Sequence, residues 1–225
     1  MGKNHIKSLN APSTWAFNRK ENTFITRPTP GPHTFEHTVS ISFFLKHVVS
    51  KVTTKKEAKY LLRNGELLID GKKRYDEKAQ VGLMDVVTFP KVKENYVILL
   101  NRKNKLSAVK IDDKAAALKI VKIKSKTIRG SKKIQLNCTS GRNITVEKDS
   151  YKIGDSIVIS AENQKIVDTF PFNTGANVLL TSGKRAGSVG TLTKIQENMI
   201  QVKADKEFET PKECAFVIGN LYKPA

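Results

Sequence analysis

Lys72, Lys73 and Arg74 stand directly after Asp70-Gly71, a pair suited to the two positive-φ positions of a type I′ hairpin turn. Three cations at a tight turn neutralise closely spaced phosphates but supply no nucleophile, general base or metal ligand. The chemistry they point to is electrostatic recognition of a regular polyanion, RNA or DNA. Just upstream, Lys55, Lys56, Lys59 and Arg63 have spacings that let them share the solvent face of one helix. Lys122, Lys124 and Lys126 alternate with Val121, Ile123 and Ser125, which in a strand puts the lysines on one face about 7 Å apart. Such a row either contacts phosphates or protects an edge strand from aggregation, and the charge of the region favours phosphate. Gly183, Gly187 and Gly190 lie at spacings of four and three around Lys184-Arg185. Glycine there permits positive φ and a close backbone approach to a phosphate or base.

Other chemistries fail on spacing. A phosphate-binding P-loop around Gly183-Lys184 needs glycine five residues before Gly183 and Ser or Thr after the lysine. Val178 and Arg185 occupy those positions. Lys122-Ile123-Lys124-Ser125-Lys126 has the look of a synthetase lysine signature, but no His-rich partner precedes it and no nucleotide-binding βαβ unit follows. His5, His33 and His37 lack metal-ligand spacing and nearby cysteines, so they read as polar contacts to RNA or solvent. Asp112 and Asp113 are adjacent and point apart in a strand or turn. No catalytic constellation, metal site or cofactor is expected. Cys138 and Cys214, 76 residues apart in apolar surroundings, read as buried packing residues in a reducing compartment rather than a disulfide framework.

The elements that must carry these cations follow from periodicity. Residues 1–40 hold four of the eight prolines and the only tryptophan, and Pro28-Thr29-Pro30-Gly31-Pro32 forms neither helix nor inner strand. This predicts an extended basic tail, with Trp15, Phe17 and Phe24 as anchors. Ile41, Phe44, Leu45, Val48 and Val49 recur at helical spacing. Thr54 and Glu57 form a capping box for a second helix through Ala58, Leu61 and Leu62, which Gly65 closes. The hairpin and the run Val81–Phe89, ended by Pro90, follow. Tyr96–Leu100 is a strand with its turn at Asn101–Asn104, and short strands continue through Val167 as a small barrel. The glycine-spaced loop sits between two further strands. Residues after Lys203 read as an extension packing Phe208, Phe216 and Val217.

Composition agrees. Among 225 residues, 40 Lys and Arg face 21 Asp and Glu, a net charge of +19, which favours a nucleic-acid partner and disfavours self-association. Residues 91–170 alone carry +10, with 18 basic and 8 acidic side chains. The opening Met-Gly-Lys-Asn-His has no apolar h-region and no apolar run approaches 18 residues, so a soluble protein without signal peptide or membrane partner is expected.

Several motifs together resemble a known family. Residues 41–90 are similar to the alpha-L (S-four) RNA-binding domain, two helices plus a hairpin, and 177–195 resembles the KOW motif. Their order, the His-Ile-Lys-Ser-Leu-Asn-Ala-Pro…Trp15 opening, Thr26-Arg27-Pro28…Pro30-Gly31-Pro32-His33 and Val81-Gly82-Leu83-Met84-Asp85-Val86 resemble the small-subunit ribosomal proteins of the archaeal and eukaryotic S-four-e family over essentially the whole chain. The resemblance implies a mainly β, α+β fold. Its parts are an N-terminal extension (1–40), an alpha-L domain (41–90), a central basic β domain (91–170), an SH3-like KOW barrel (171–204) and a C-terminal extension (205–225). It implies a non-enzymatic constituent of the small subunit that binds its ribosomal RNA and neighbouring ribosomal proteins. Such a protein has no cofactor, small-molecule substrate or self-association, and is cytoplasmic, with nucleolar assembly where a nucleus exists. The expected RNA contacts are Lys3, Lys7, Arg19, Lys20, Arg27, Lys55, Lys56, Lys59, Arg63, Lys72, Lys73, Arg74, Lys122, Lys124, Lys126, Arg129, Lys132, Lys133, Gly183, Lys184, Arg185 and Gly187. A KOW-containing transcription elongation factor or an RNA-modification factor is the alternative. Pseudouridine synthases also carry alpha-L modules, but too little chain remains here for their catalytic domain.

Overall fold

The computed structural model describes residues 4–129, 133–161, 163–204, 206–219 and 222. They divide into two compact units, residues 1–99 with 104–117, and residues 100–103 with 118–225.

In the first unit the expected tail folds back as structure. β1 (His5–Lys7) pairs antiparallel with β2 (Phe24–Thr26). Trp15 is fully buried, its ring 4.9 Å from Phe43 and 5.7 Å from Phe35, and Phe17 meets Phe43 edge-on at 5.3 Å. Burying such side chains stabilises by about 1.5–3 kcal/mol each, and backbone bonds such as Thr29 N–H to the Lys78 carbonyl at 2.9 Å add to their hold on the proline-rich segment. Phe24 is no anchor; it stays largely exposed against the His5 ring. β3 (Thr38–Ser40) leads into α1 (Ile41–Phe43), where the Ser40 hydroxyl accepts the N–H of Phe43 at 3.3 Å. The next turn, Phe44–Val48, is a π-helix, with the Val49 N–H donating to Phe44 rather than Leu45. The inserted residue rotates the stripe. Ile41, Phe44 and Leu45 are buried as expected, Phe43 joins them, and Val48 and Val49 are only partly covered.

α2 (Lys55–Arg63) has the expected capping box, Thr54 with Glu57. It ends in a Schellman motif: Gly65 (φ +67°) donates to Leu62 at 3.0 Å and Glu66 to Leu61 at 3.2 Å. β4 (Leu68–Ile69) and β5 (Lys72–Lys73) form the hairpin, with positive φ at both Asp70 and Gly71. The Asp70 carboxylate accepts the Val86 N–H at 3.1 Å, fixing the turn to its neighbouring strand. β6 (Gln80–Gly82) pairs with β3. Then β7 (Val86–Phe89), β8 (Glu94–Leu100) and β9 (Leu106–Ile111) complete a sheet of order β5-β4-β7-β8-β9, followed by the short α3 (Asp113–Ala116). The sheet therefore runs through the expected boundary at 90/91, because β7 and β8 are hydrogen-bonded partners.

The motifs Pro30–His33 and Val81–Val86 turn out to be one junction. His33 Nε2 lies 2.8 Å from the Asp85 carboxylate, both nearly buried, and its backbone N–H donates to Gln80 at 3.2 Å. A Cβ on Gly82 would come within 2.4 Å of the His33 ring. His33 is thus an interior packing group, and the expectation that it contacts RNA or solvent does not hold.

The second unit contains two five-stranded antiparallel sheets. β10 (Leu118–Arg129), β11 (Lys133–Cys138), β12 (Asn143–Val146), β13 (Ser156–Ser160) and β14 (Ile166–Phe170) are ordered β12-β11-β10-β13-β14. Val121, Ile123, Leu136, Cys138, Ile157 and Ile159 fill their core. β15 (Asn177–Leu180), β16 (Val189–Ile195), β17 (Met199–Lys203), β18 (Glu207–Pro211) and β19 (Ala215–Val217) are ordered β18-β17-β16-β15-β19. All five strands send side chains into one cluster around Val178, Leu192, Ile200, Val202 and Val217, as in a small SH3-like barrel. The expected extension after residue 204 is therefore part of this sheet: β18 and β19 are two of its strands.

Candidate nucleic-acid interface

The first cationic surface is built by α2 and the β4–β5 hairpin. β5 is the edge strand of its sheet, so Lys72, Lys73 and Arg74 are all exposed. The Lys73 side chain passes over Gly65 at the end of α2, 3.5 Å from where a Cβ would stand. Glu77, nearly buried, holds Lys55 at 3.1 Å and Lys59 at 3.6 Å on the other end of the helix. Residues 73–77 thus run antiparallel beside α2 and bring the two predicted clusters together. Lys56 and Arg63 are exposed, with no carboxylate within ion-pair distance among the described residues. Lys51 and Lys110 are drawn off by Glu94, whose carboxyl is held at about 2 by Lys110, Lys51 and the Tyr96 hydroxyl.

The N-terminal cations are unequal. Lys7 and Lys20 are exposed. Arg19 donates to the carbonyls of Pro12 at 2.8 Å and Leu9 at 3.2 Å, and Arg27 lies 5.6 Å over the Phe35 ring. Lys3 and Lys132 fall outside the described residues.

On β10 the expected lysine row breaks. β10 is a central strand, and its register with β11 shifts between Ile123 and Ser125, ending the strict alternation. The face opposite the core is covered by residues 212–215. There the Lys122 ammonium donates to the carbonyls of Ala215 at 2.6 Å, Glu213 at 3.0 Å and Lys212 at 3.5 Å, and burial pushes its pKa down. Lys122 is therefore an internal clamp, neither phosphate contact nor edge guard. Lys126 pairs with Asp149; Lys124, Arg129 and Lys133 are exposed on the outer part of the β10–β11 ribbon.

The glycine loop between β15 and β16 also divides. Gly183 (φ +89°) has nothing within 4 Å of its Cβ position, and Lys184 and Arg185 beside it are exposed, Arg185 stacking 4.2 Å over Phe208. Gly187 (φ +85°) is buried; a Cβ would stand 1.8 Å from the Asn101 carbonyl oxygen. Its close approach is to the protein's own backbone rather than to a ligand. Cys138 is buried, its thiol pushed up to about 11 by desolvation, while Cys214 is only half-buried and accepts a hydrogen bond from Ser182 at 3.0 Å.

Periodic reading of the cations missed the aromatic partners beside them. Tyr60 and Tyr75 are 67% and 61% exposed, and the spacing of Tyr60 from Lys56 and Arg63 is the signal that marks it. Among the described residues no group of three or more His, Cys, Asp or Glu is placed to hold a metal ion, and no helix is long and apolar enough to cross a membrane.

Comparison with known proteins covers most of this architecture. The family model described as ribosomal family S4e matches residues 92–166, and the RS4NT (NUC023) domain matches residues 1–36. The small ribosomal subunit protein eS4 of Methanococcus vannielii is 33% identical over 96% of this chain and 94% of its own. That of Methanocaldococcus jannaschii is 34% identical over 97% and 95%, respectively. The crystal structure of the 30S ribosomal protein S4e from Thermoplasma acidophilum superposes with a TM-score of 0.70 at 29% identity, covering 81% of this chain and 95% of that one.

Proposed function

The chain belongs to the ribosomal S4e family, and on that premise we propose a non-catalytic constituent of the small ribosomal subunit that holds folded ribosomal RNA through cationic surfaces on both of its units. The observation that carries this reading is the alignment of eS4 relatives with 96% of the chain: both units, not a single shared module, correspond to the relatives. Its place is in the ribosome, in the cytoplasm, among ribosomal RNA and other ribosomal proteins.

The exposed side chains define how it grips. Arg63 and Arg74 offer planar forks that match phosphate oxygens bidentately, while Lys56, Lys72, Lys73 and Lys184 act as point charges. Lys55 and Lys59 share the Glu77 carboxylate and contribute less net attraction. Phosphate contacts of this kind position the protein, and helix and hairpin together read RNA shape across a wide minor groove or an unpaired segment. Lys122 and Gly187 support the scaffold instead of touching RNA.

Co-sedimentation tests the reading. The protein should be recovered stoichiometrically with small subunits washed in high salt. Recovery only with RNA polymerase, or turnover of uridine in RNA by the purified protein, would overturn it.

A further inference from the structure

We infer that Tyr60 is a stacking platform for an unpaired nucleobase of the small-subunit ribosomal RNA, with Lys56 and Arg63 holding the phosphates on either side of that nucleotide. The inference rests on the ribosomal reading above and extends it from charge to base contact.

Position on the helix makes the case. Ala58 and Leu62 are the fully buried residues of α2, and at about 100° per residue each lies some 160° round the helix from Tyr60. Tyr60 therefore tops the outward face, and 67% of it is exposed. Lys56 and Arg63, four residues before and three after, form one row with it along the helix. They stand roughly 6 Å and 4.5 Å from it along the axis.

Charge is concentrated on that row. Glu77 compensates Lys55 and Lys59 on the flank facing residues 73–77, and neither Lys56 nor Arg63 has an acidic partner among the described residues. The antiparallel run of residues 73–77 also brings the exposed Arg74 and Tyr75 alongside the helix. The neighbours of Tyr60 on the outward face are Lys56, Arg63, Asn64 and Glu57, with no exposed aliphatic side chain; the Glu57 carboxylate is turned back onto the Thr53 and Thr54 N–H groups of the helix cap. A docked protein would enclose an aromatic anchor in a well-packed, desolvated pocket, and the charged side chains around Tyr60 offer no apolar wall for one. A base needs a π-face with cations beside it, which is what a single-stranded nucleic acid finds here.

The test uses the full-length protein and protein-free small-subunit ribosomal RNA. Tyr60→Phe keeps the ring and should bind within twofold of the original. Tyr60→Leu and Tyr60→Ala should bind about 5- to 150-fold more weakly, the range of one base stacked on one aromatic ring. Their salt dependence should be unchanged because no cation is removed, whereas Lys56→Ala should make it shallower. Mass spectrometry after ultraviolet irradiation should find a base crosslinked at Tyr60 in the unsubstituted protein, a readout independent of how the variants fold. Tyr60→Leu binding as tightly as the original overturns the inference while leaving the ribosomal reading intact. So does unchanged binding to free RNA with loss only from assembled subunits, which would mean a protein neighbour on this face. If the unsubstituted protein itself fails to bind the RNA, the ribosomal-RNA reading falls first.

Discussion

Replacing Lys122 by methionine separates a structural cation from an RNA-binding one. In the folded protein its ammonium donates to three backbone carbonyls, of Lys212, Glu213 and Ala215, at 2.6 to 3.5 Å. Methionine keeps most of the stem's packing but leaves these acceptors without their donor. An acceptor stranded in a covered site costs about 1–3 kcal/mol. Two factors keep the sum from tripling: the longest of the three bonds is weak, and removing a charge that burial disfavours returns part of the loss. A net destabilisation of about 2 kcal/mol is expected, and at roughly 2–4 °C per kcal/mol for a chain of this size the melting temperature should fall by about 4–8 °C. Scanning calorimetry measures it. RNA affinity and its salt dependence, measured below the transition, should match the original protein. An unchanged melting temperature together with a log–log salt slope shallower by about 1 would instead make Lys122 an RNA contact, because that is the signature of a lost phosphate contact.

Replacing Lys72, Lys73 and Arg74 together by alanine should do the reverse. The change lies on an exposed edge and should leave the melting temperature nearly unchanged, while filter binding to ribosomal RNA weakens and its salt slope becomes shallower by about 2. Gly187→Ala, whose Cβ would overlap the Asn101 carbonyl oxygen, should cost more than about 3 kcal/mol in denaturant unfolding. Gly183→Ala meets open space and should cost only the roughly 1–2 kcal/mol of its backbone strain; equal costs at both would refute this assignment of the loop. In native protein at pH 8, iodoacetamide should modify the half-buried Cys214 and spare Cys138, whose thiol burial has pushed up to about 11. The sign follows directly: a raised pKa keeps Cys138 protonated throughout the range below it, and only the thiolate reacts. Equal labelling in peptide mass spectrometry would contradict it.

Features set by neighbours in sequence were legible there. The Thr54–Glu57 capping box, the Schellman close at Gly65 and the Asp70-Gly71 turn each depend on hydrogen bonds spanning a few residues, and the residue types declare them. The order of cationic clusters was legible for the same reason. What escaped depends on distant partners. Lys122 looks like its neighbour Lys124 until residues 90 and more positions away cover one of them. The N-terminal segment looks like a tail until Trp15 finds Phe43, and residues 207–217 look like an extension until they pair with β17 and β15. Gly187 shows the limit from another side. Its type announces a close approach, but only the fold reveals that backbone, and not phosphate, is what approaches. The row of Lys56, Tyr60 and Arg63 is written in the spacing, but the exposure of Tyr60 is set by the burial of Ala58 and Leu62 on the opposite face of α2.

Exposed cations on both units that bind ribosomal RNA through its phosphates leave their signature in the salt dependence of that binding. Equilibrium binding of the full chain to small-subunit ribosomal RNA should weaken with log salt at a slope of roughly −6 to −9, as expected when about 8–10 phosphates are engaged. A slope near zero would contradict it.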